Sequence, residues 1–97
     1  MARVIAIGDI HGCSTALGAL LEAVEPRPDD LVVTLGDYID RGPDSRGVLE
    51  QLIDLGRRCR LVPILGNHDQ MLLDVRIGKY PIFWLFDIGG AATLDSY

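Results

Sequence analysis

The sequence lacks the features that define several large classes of protein. No stretch of its 97 residues approaches the roughly 18 consecutive apolar residues of a transmembrane helix, so we expect no membrane partner. The opening run MARVIAIGD is too short and too quickly interrupted for a secretory signal, and it is better interpreted as a first strand. Neither a G-x-G-x-x-G nor a G-x-x-x-x-G-K-[ST] run occurs, which makes a generic nucleotide-binding domain a weak alternative.

Cysteine and basic side chains are also scarce. Two cysteines, Cys13 and Cys59, are too few for a disulfide framework and predict free thiols in a reducing compartment, which favours a cytoplasmic location. Nine lysine and arginine residues against 14 aspartate and glutamate residues give a net charge of −5, which disfavours nucleic acid as a partner. A phosphorylated substrate is still compatible with this charge, because a bound divalent cation reverses the local potential.

Apolar runs alternate with helical patterns along the chain. This order predicts an α/β fold with a parallel sheet and right-handed crossovers, and 48% apolar residues suffice for one packed domain over residues 1–97. Nearly continuous aliphatic strands are expected for a sheet that is covered on both faces. The predicted strands span 3–7, 31–35 and 60–65, and the predicted helices span 14–24, 45–56 and 71–78, followed by an apolar helical stretch from KYPIFWLF onward.

A similar polar loop follows each predicted strand: GDIHG at 8–12, GDYIDRG at 36–42 and GNHDQ at 66–70. One such loop would be turn material, whereas three of them need a common cause. Because the carboxyl ends of parallel strands meet at one edge of a sheet, where ligands bind, we expect the three loops to converge. Together they supply eight polar side chains: Asp9, His11, Asp37, Asp40, Arg41, Asn67, His68 and Asp69.

These side chains include a set of metal ligands. Carboxylate oxygens, imidazole nitrogens and an amide oxygen suit a cation such as Mn²⁺, Fe²⁺ or Zn²⁺. Asp9 and His11 are two positions apart after a strand end, so one turn can aim both at one point. Asp37 comes first after the glycine of the central loop and can bridge two metals with its two oxygens. Two metals about 3.5–4 Å apart activate a water and stabilise an in-line displacement at phosphorus.

Two further side chains suit a phosphate ester. Arg41 offers a bidentate grip on phosphate oxygens, although in isolation it would be an ordinary solvated arginine. His68 cannot easily share a metal with its neighbour Asn67 and is better placed to give a proton to the leaving oxygen, oriented by Asp40. The alternative is that His68 caps the helix that follows and that Asp40 caps a helix or pairs with an arginine.

The three loops, in this order and spacing, resemble the signature of the phosphoprotein phosphatase type of calcineurin-like binuclear metallophosphoesterases, which is written GDxHG, GDxxDRG and GNHE. The resemblance covers residues 3 to about 70. The closing GGAATLDSY is similar to a segment of bacterial members, among them protein phosphatases and symmetrical diadenosine tetraphosphatases. The resemblance implies a βαβαβα half of a fold that is a four-layer α/β/β/α sandwich when complete.

The same resemblance implies a binuclear metal centre. Asp9 and His11 would bind a first divalent metal ion, and Asp37 would bridge it to a second. Asn67 would bind the second ion and face the substrate phosphate. The implied cofactors are therefore two divalent ions, Mn²⁺ in the first place, with Fe or Zn as alternatives.

Further roles follow from the resemblance for the residues that handle the substrate. Arg41 would contact the substrate phosphate, and His68 would be the general acid, paired with Asp40. A hydroxide that bridges the two metals would attack phosphorus directly, with no covalent phosphoenzyme. The implied function is metal-dependent hydrolysis of phosphomonoesters, with a serine/threonine phosphoprotein as substrate. The alternatives are a symmetrical dinucleoside tetraphosphate hydrolase and a catalytically silent metal-binding fragment.

The sequence departs from the family's pattern in two respects. Asp69 stands where the family has Glu, and because that position is not a metal ligand, the shorter acid should change little. The family completes its second metal site with two histidines from the C-terminal half, whereas this chain has only His11 and His68. We therefore expect the N-terminal part of a catalytic domain. A half-sheet of three strands would leave an apolar face open, so we expect that the chain either self-associates or was cut from a longer one. The aromatic residues of its last stretch are Tyr80, Phe83, Trp84 and Phe86.

Overall fold

A computed structural model describes residues 2–97 of the chain. Within this range strands and helices alternate as predicted, which confirms an α/β fold. The elements are β1 (Val4–Ile7), α1 (Ser14–Val24), β2 (Leu31–Thr34), α2 (Ser45–Arg58), β3 (Arg60–Pro63), α3 (Asn67–Arg76), α4 (Phe83–Asp87) and α5 (Gly90–Ser96).

The three strands form one parallel sheet in the order β1-β2-β3. Their pairing is level, so that Ile7, Thr34 and Pro63 lie side by side in the last row at the carboxyl end. The predicted strand ends at 35 and 65 were too late, because the ladder stops at this row and the chain then turns away. All three polar loops consequently leave from the same edge of the sheet, as predicted.

Helices cover only one face of this sheet. Val32 and Thr34 are fully buried, and Val32 belongs to one apolar core with Leu17 of α1 and Leu55 of α2. Alternate strand residues point to opposite faces, and on the other face the exposed fraction is 74% for Val4. The expectation of cover on both faces is therefore wrong for the described residues, whereas the expected open apolar face is confirmed.

Helix α2 extends further than its pattern predicts. Gly56 was expected to stop it, but φ of Gly56 lies outside the left-handed region that a glycine stop requires. The helix ends instead at Arg58, and the next residue, Cys59, has an extended backbone with φ −150° and ψ 178°. Its N-terminus is capped by Asp44, whose carboxylate accepts a hydrogen bond from the N–H of Gly47 at 2.8 Å. Not every apolar residue of these helices faces the core: Leu20 of α1 and Ile53 of α2 are exposed.

The third polar loop differs most from the expectation. Helix α3 already begins at Asn67, so Asn67, His68 and Asp69 form its first turn rather than a loop before it. Gly78, with φ 80°, follows the end of α3 as predicted.

The last stretch forms two short helices, α4 and α5. Phe83, Trp84 and Phe86 are all exposed, so they are not core residues. Thr93 of α5, in contrast, is buried. This stretch therefore keeps its aromatic side chains at the surface and sends a polar one inward.

Two simple expectations concern cysteines and membrane segments. Both cysteines are free thiols, as predicted; Cys13 is exposed and Cys59 is buried, and burial raises the pKa of the Cys59 thiol. Across residues 2–97, no helix combines the length and the apolar content that crossing a membrane requires.

Candidate functional site

Backbone hydrogen bonds join the first polar loop to the second. The N–H of His11 donates to the carbonyl of Asp37 at 2.9 Å, and the N–H of Gly12 donates to the carbonyl of Tyr38 at 2.8 Å. In return, the N–H of Gly42 donates to the carbonyl of His11 at 2.9 Å. A Cβ at Gly42 would overlap that same carbonyl oxygen, so the close approach requires glycine. The glycine that ends GDYIDRG therefore lets the two loops lie against each other.

The carboxylate of Asp69 ties the second loop to the third. It accepts hydrogen bonds from the backbone N–H of Asp37 at 2.7 Å, of Tyr38 at 3.0 Å and of Gly66 at 2.9 Å. In the opposite direction, Asp37 Oδ1 accepts from the N–H of His68 at 2.9 Å. Asp69 is buried and lies outside the metal-ligand cluster described below. Its role here is to hold the backbone of Asp37 against α3.

Asp9, His11 and Asp37 come together at the edge of the sheet. One ligand atom from each of them lies within 4.8 Å of the other two. Ligands at about 2.1 Å from one cation are at most about 4.2 Å apart, so a small side-chain adjustment closes the set around an ion. The residues that were predicted to hold the first metal therefore fit a divalent cation.

The tautomer of His11 suits metal binding. Its Nδ1 lies 2.8 Å from the carbonyl oxygen of Ile39. Because a carbonyl oxygen can only accept, Nδ1 must carry the proton, and Nε2 keeps its lone pair. Metal-binding histidines are generally oriented by such a hydrogen bond on their second ring nitrogen. The structure therefore presents Nε2 of His11 as the ligand atom.

Backbone strain is concentrated at this site. Among the described residues, six non-glycine residues have a positive φ. Five of them lie in the polar loops, and the sixth is Glu25, at the end of α1. Left-handed angles cost non-glycine residues on the order of 1–3 kcal/mol each and persist where the surroundings impose them. The loop residues concerned are Asp9 (49°), His11 (41°), Asp37 (54°), Asp40 (72°) and Arg41 (70°).

The predicted acid pair is also formed. His68 Nδ1 lies 2.9 Å from Asp40 Oδ2, and the exposed fractions of the two side chains are 12% and 1%. Since the carboxylate accepts, Nδ1 carries the proton and Nε2 is left to exchange protons with a ligand. The rings of His11 and His68 meet edge to face, with centroids 4.7 Å apart. The Asp40–His68 pair therefore lies directly beside the cluster of candidate cation ligands.

Arg41 and Asn67 complete the set of predicted residues. Arg41 is exposed, and its N–H donates to the carbonyl of Gly89 at 3.1 Å. Among the described residues, its guanidinium makes no hydrogen bond or ion pair, so it is available for a ligand. Asn67 is the exposed first residue of α3, between Gly66 and His68, both of which contact Asp37. No measured contact assigns either side chain to phosphate or metal.

Sequence reasoning missed two parts of the site. The three-bond role of Asp69 was not foreseen, although its place inside the third motif was a signal. Thr93 was not considered at all, yet its hydroxyl contacts the Asp40 carboxylate at 2.6 Å. The signal for Thr93 was weak, because a single threonine in a short helix is unremarkable without the fold.

A cluster of possible cation ligands at a sheet edge, next to a buried Asp–His pair, is an arrangement that metal-dependent phosphoesterases can use. The profile of one such family, described as calcineurin-like phosphoesterase, matches residues 2–96. The chain therefore belongs to the calcineurin-like phosphoesterase family.

Individual relatives carry two different names. The chain is 42% identical over 88 residues to serine/threonine-protein phosphatase 1 of Salmonella typhimurium, which covers 90% of this chain and 39% of that protein. It is 51% identical over 73 residues to the symmetrical bis(5'-nucleosyl)-tetraphosphatase of Salmonella newport, which covers 74% of this chain and 25% of that one.

A solved structure that is similar to this chain also carries the name of a tetraphosphatase. The crystal structure of a candidate diadenosine tetraphosphatase matches with a TM-score of 0.65 and 45% identity, over 74% of this chain and 31% of that one. In each case the chain spans well under half of its relative, and it matches the phosphatase over more of its own length.

Proposed function

We propose that the chain forms part of a metal-dependent phosphomonoester hydrolase whose substrate is a serine/threonine phosphoprotein. The observation that carries this proposal is the Asp9, His11 and Asp37 cluster beside the Asp40–His68 pair. A relative named serine/threonine-protein phosphatase supports the substrate class, since it matches 90% of the chain. The free thiols support a cytoplasmic location.

The proposed metal ligands follow the predicted roles. Asp9 and His11 would hold a first divalent cation, Asp37 would contribute its carboxylate to both cations, and Asn67 would be a ligand of the second. Mn²⁺ is the proposed ion, with Fe or Zn as alternatives for the same donor set. When bound, such a pair supplies a nucleophilic water at neutral pH and neutralises charge on the phosphoryl oxygens.

The other residues bind the ester and move its proton. The Arg41 guanidinium, which has no other partner among the described residues, binds two phosphate oxygens. Together with Asn67 it sets the orientation of the phosphoryl group. His68 donates a proton from Nε2 to the leaving oxygen, while its Nδ1–H remains hydrogen-bonded to the Asp40 carboxylate. The donated proton belongs to the imidazolium form, whose Nδ1–H is hydrogen-bonded to the Asp40 carboxylate.

A second candidate function is hydrolysis of symmetrical dinucleoside tetraphosphates. It is favoured by the higher identity, 51%, to tetraphosphatases and by the similar crystal structure. A third candidate is a metal-binding chain with no turnover. It is favoured because the family completes its second metal site with two further histidines that this chain does not contain. Parallel assays on a phosphopeptide and on diadenosine tetraphosphate separate the first two candidates.

Asp37→Asn tests the metal-dependent function. The substitution should abolish Mn²⁺-stimulated hydrolysis of an aryl phosphate by the protein that carries this chain, because the Asp37 carboxylate is the proposed ligand of both cations. It should also lower the Mn²⁺ content of the 97-residue chain, measured by elemental analysis after equilibration and desalting. Asp29→Asn, at an exposed site before β2, is the matched control and should change neither quantity. Retained Mn²⁺-stimulated activity in Asp37→Asn would contradict the proposal.

A further inference from the structure

Thr93 reaches the candidate site from the far end of the chain. It lies in α5, 53 residues after Asp40, and its exposed fraction is only 4%. Helix α5 is held in place by bonds to the second loop and to α2. The N–H of Arg41 donates to the carbonyl of Gly89, and the N–H of Arg46 donates to Ser96 Oγ at 3.1 Å.

The hydrogen bonds of the Thr93 hydroxyl can be assigned completely. Thr93 Oγ1 lies 2.6 Å from Asp40 Oδ1, and since the carboxylate only accepts, the hydroxyl proton points to it. The same oxygen accepts from the N–H of Asp40 at 2.8 Å. Because its single proton is used, the contact with Ser45 Oγ at 3.1 Å must run from Ser45 to Thr93. Thr93 is thus bound to both the side chain and the backbone of Asp40.

This arrangement uses both oxygens of a carboxylate that is almost fully buried. Oδ1 accepts from Thr93 and Oδ2 accepts from His68 Nδ1. A carboxylate fixed at two points cannot turn about its last bond, so Oδ2 stays aimed at the imidazole. Asp40 also has a strained backbone, with φ 72°, and the bond from its N–H to Thr93 helps to impose that angle.

We propose that Thr93 is a positioning residue that holds the Asp40 carboxylate so that His68 keeps its Nδ1–H tautomer. The catalytic meaning of this tautomer rests on the proposed function, in which Nε2 of His68 gives a proton to the leaving oxygen. Thr93 itself touches neither substrate nor metal in this proposal. It acts through Asp40, and its methyl group has no part beyond filling space.

The tautomer of His68 can be measured directly, without turnover. The chain contains only two histidines, so isotopically labelled histidine gives two imidazole spectra by NMR, and His68→Gln identifies which is which. The spectra are recorded at one alkaline pH without added metal. In the parent chain we expect His68 in a single Nδ1–H form. Thr93→Val, which replaces the hydroxyl by a methyl group, should give a mixture of the two tautomers.

The chain offers matched controls. Thr93→Ser keeps the hydroxyl and should restore the parent spectrum of His68. His11 is an internal reference, because its Nδ1–H is held by the Ile39 carbonyl and not by Asp40. Ser96→Ala removes the bond from the Arg46 N–H to α5 and the bond from Ser96 Oγ to the Thr93 carbonyl. It keeps the Thr93 hydroxyl and does not contact the Asp40 carboxylate, so it should leave His68 unchanged. If Thr93→Val does not fold, Thr93→Ala carries the test, because it removes the hydroxyl without placing a methyl group against the carboxylate.

An unchanged His68 spectrum in folded Thr93→Val or Thr93→Ala would overturn the proposal. The same would follow if Ser96→Ala disturbed His68 as much as Thr93→Val, because a general loosening of α5 would then explain the effect. A shift of His68 in the Thr93 variants alone, reversed by serine, supports it.

Kinetics extend the test in a form of the protein that hydrolyses aryl phosphates. Thr93→Val should lower kcat for phenyl phosphate by about tenfold or more, with little change in KM, because that leaving group needs a proton. For dinitrophenyl phosphate, whose leaving group needs none, the loss should be small. Equal losses on both substrates would contradict positioning of a general acid. If no form turns over, the proposed function fails, while the tautomer measurement still decides the role of Thr93.

Discussion

At the residue scale, an ion pair between a buried carboxylate and a partly exposed arginine lies at the edge of the sheet opposite to the polar loops. The carboxylate of Asp30, just before β2, is almost fully buried, and its Oδ2 lies 2.7 Å from Arg3 Nη2. The N–H groups of Arg3 and Arg27 also donate to this carboxylate, both at 2.9 Å. These bonds, that of the Arg3 side chain first, hold the pKa of Asp30 well below its ordinary value of 3.8.

This shift predicts how stability depends on pH. A carboxyl whose pKa is lowered on folding stabilises the protein fully above the unfolded pKa, near pH 4, and the contribution is lost as pH falls through the folded pKa. Asp30→Asn should therefore lower Tm at neutral pH and flatten the fall of Tm below about pH 4. Thermal unfolding over an acid pH series measures both effects. Asp29→Asn, its exposed neighbour, should keep the parent profile, and a parent-like profile in Asp30→Asn would count against the assignment.

The sequence predicted those contacts of the site that follow from short spacing or from the order of the strands. It did not predict the contacts that depend on how distant helices pack. Asp9 and His11 are joined by one short turn, so their meeting follows from spacing alone. Their meeting with Asp37 follows from the edge rule for parallel strands. The bonds of Asp69 and Thr93 depend on where α3 and α5 lie, which no pattern in the chain specifies. Metal and phosphate roles for the predicted residues are still predictions.

At the scale of the element, α2 is the principal cover of the sheet. Leu55 on its inner side is completely buried, while the exposed fraction of Ile53, two residues earlier, is 55%. Leu55→Ala should lower the free energy of unfolding by about 2–4 kcal/mol, because it leaves a cavity in the core. Ile53→Ala should cost less than about 1 kcal/mol. Urea unfolding measures the two values, and costs of equal size would show that the inner face is assigned wrongly.

The helices show why their bounds were harder to predict than their existence. The apolar period placed α1 correctly at 14–24, and Pro26, just beyond its end, prevents the helix from continuing. For α2, Gly56 suggested a stop, but the helix continues to Arg58, and its buried side runs from Leu55 on to Cys59. For α3, the start at Asn67 is set by Asp69, which bonds to the N–H of Gly66. Side-chain contacts of this kind override local propensity.

At the scale of the whole molecule, two apolar surfaces are open. One is the uncovered face of the sheet, which includes Val62. The other is the aromatic stretch, where the exposed fractions of Phe83 and Phe86 are 59% and 50%. Trp84 is less available because its ring stacks on Tyr80 with centroids 4.6 Å apart. Exposed apolar patches of this extent are typical of surfaces that bind another protein.

We predict that the 97-residue chain self-associates through the aromatic stretch. Sedimentation equilibrium should give a mass that rises with concentration above the 10.6 kDa of one chain. Replacing Phe83 and Phe86 together by serine should return it to the monomer, because two large rings leave the contact. Val62→Ser, on the open sheet face, is the control and should leave the association intact. A monomer at all concentrations would refute the prediction. If Val62→Ser alone dissolved the assembly, the contact would be the sheet face, and the aromatic side chains would need another explanation for their exposure.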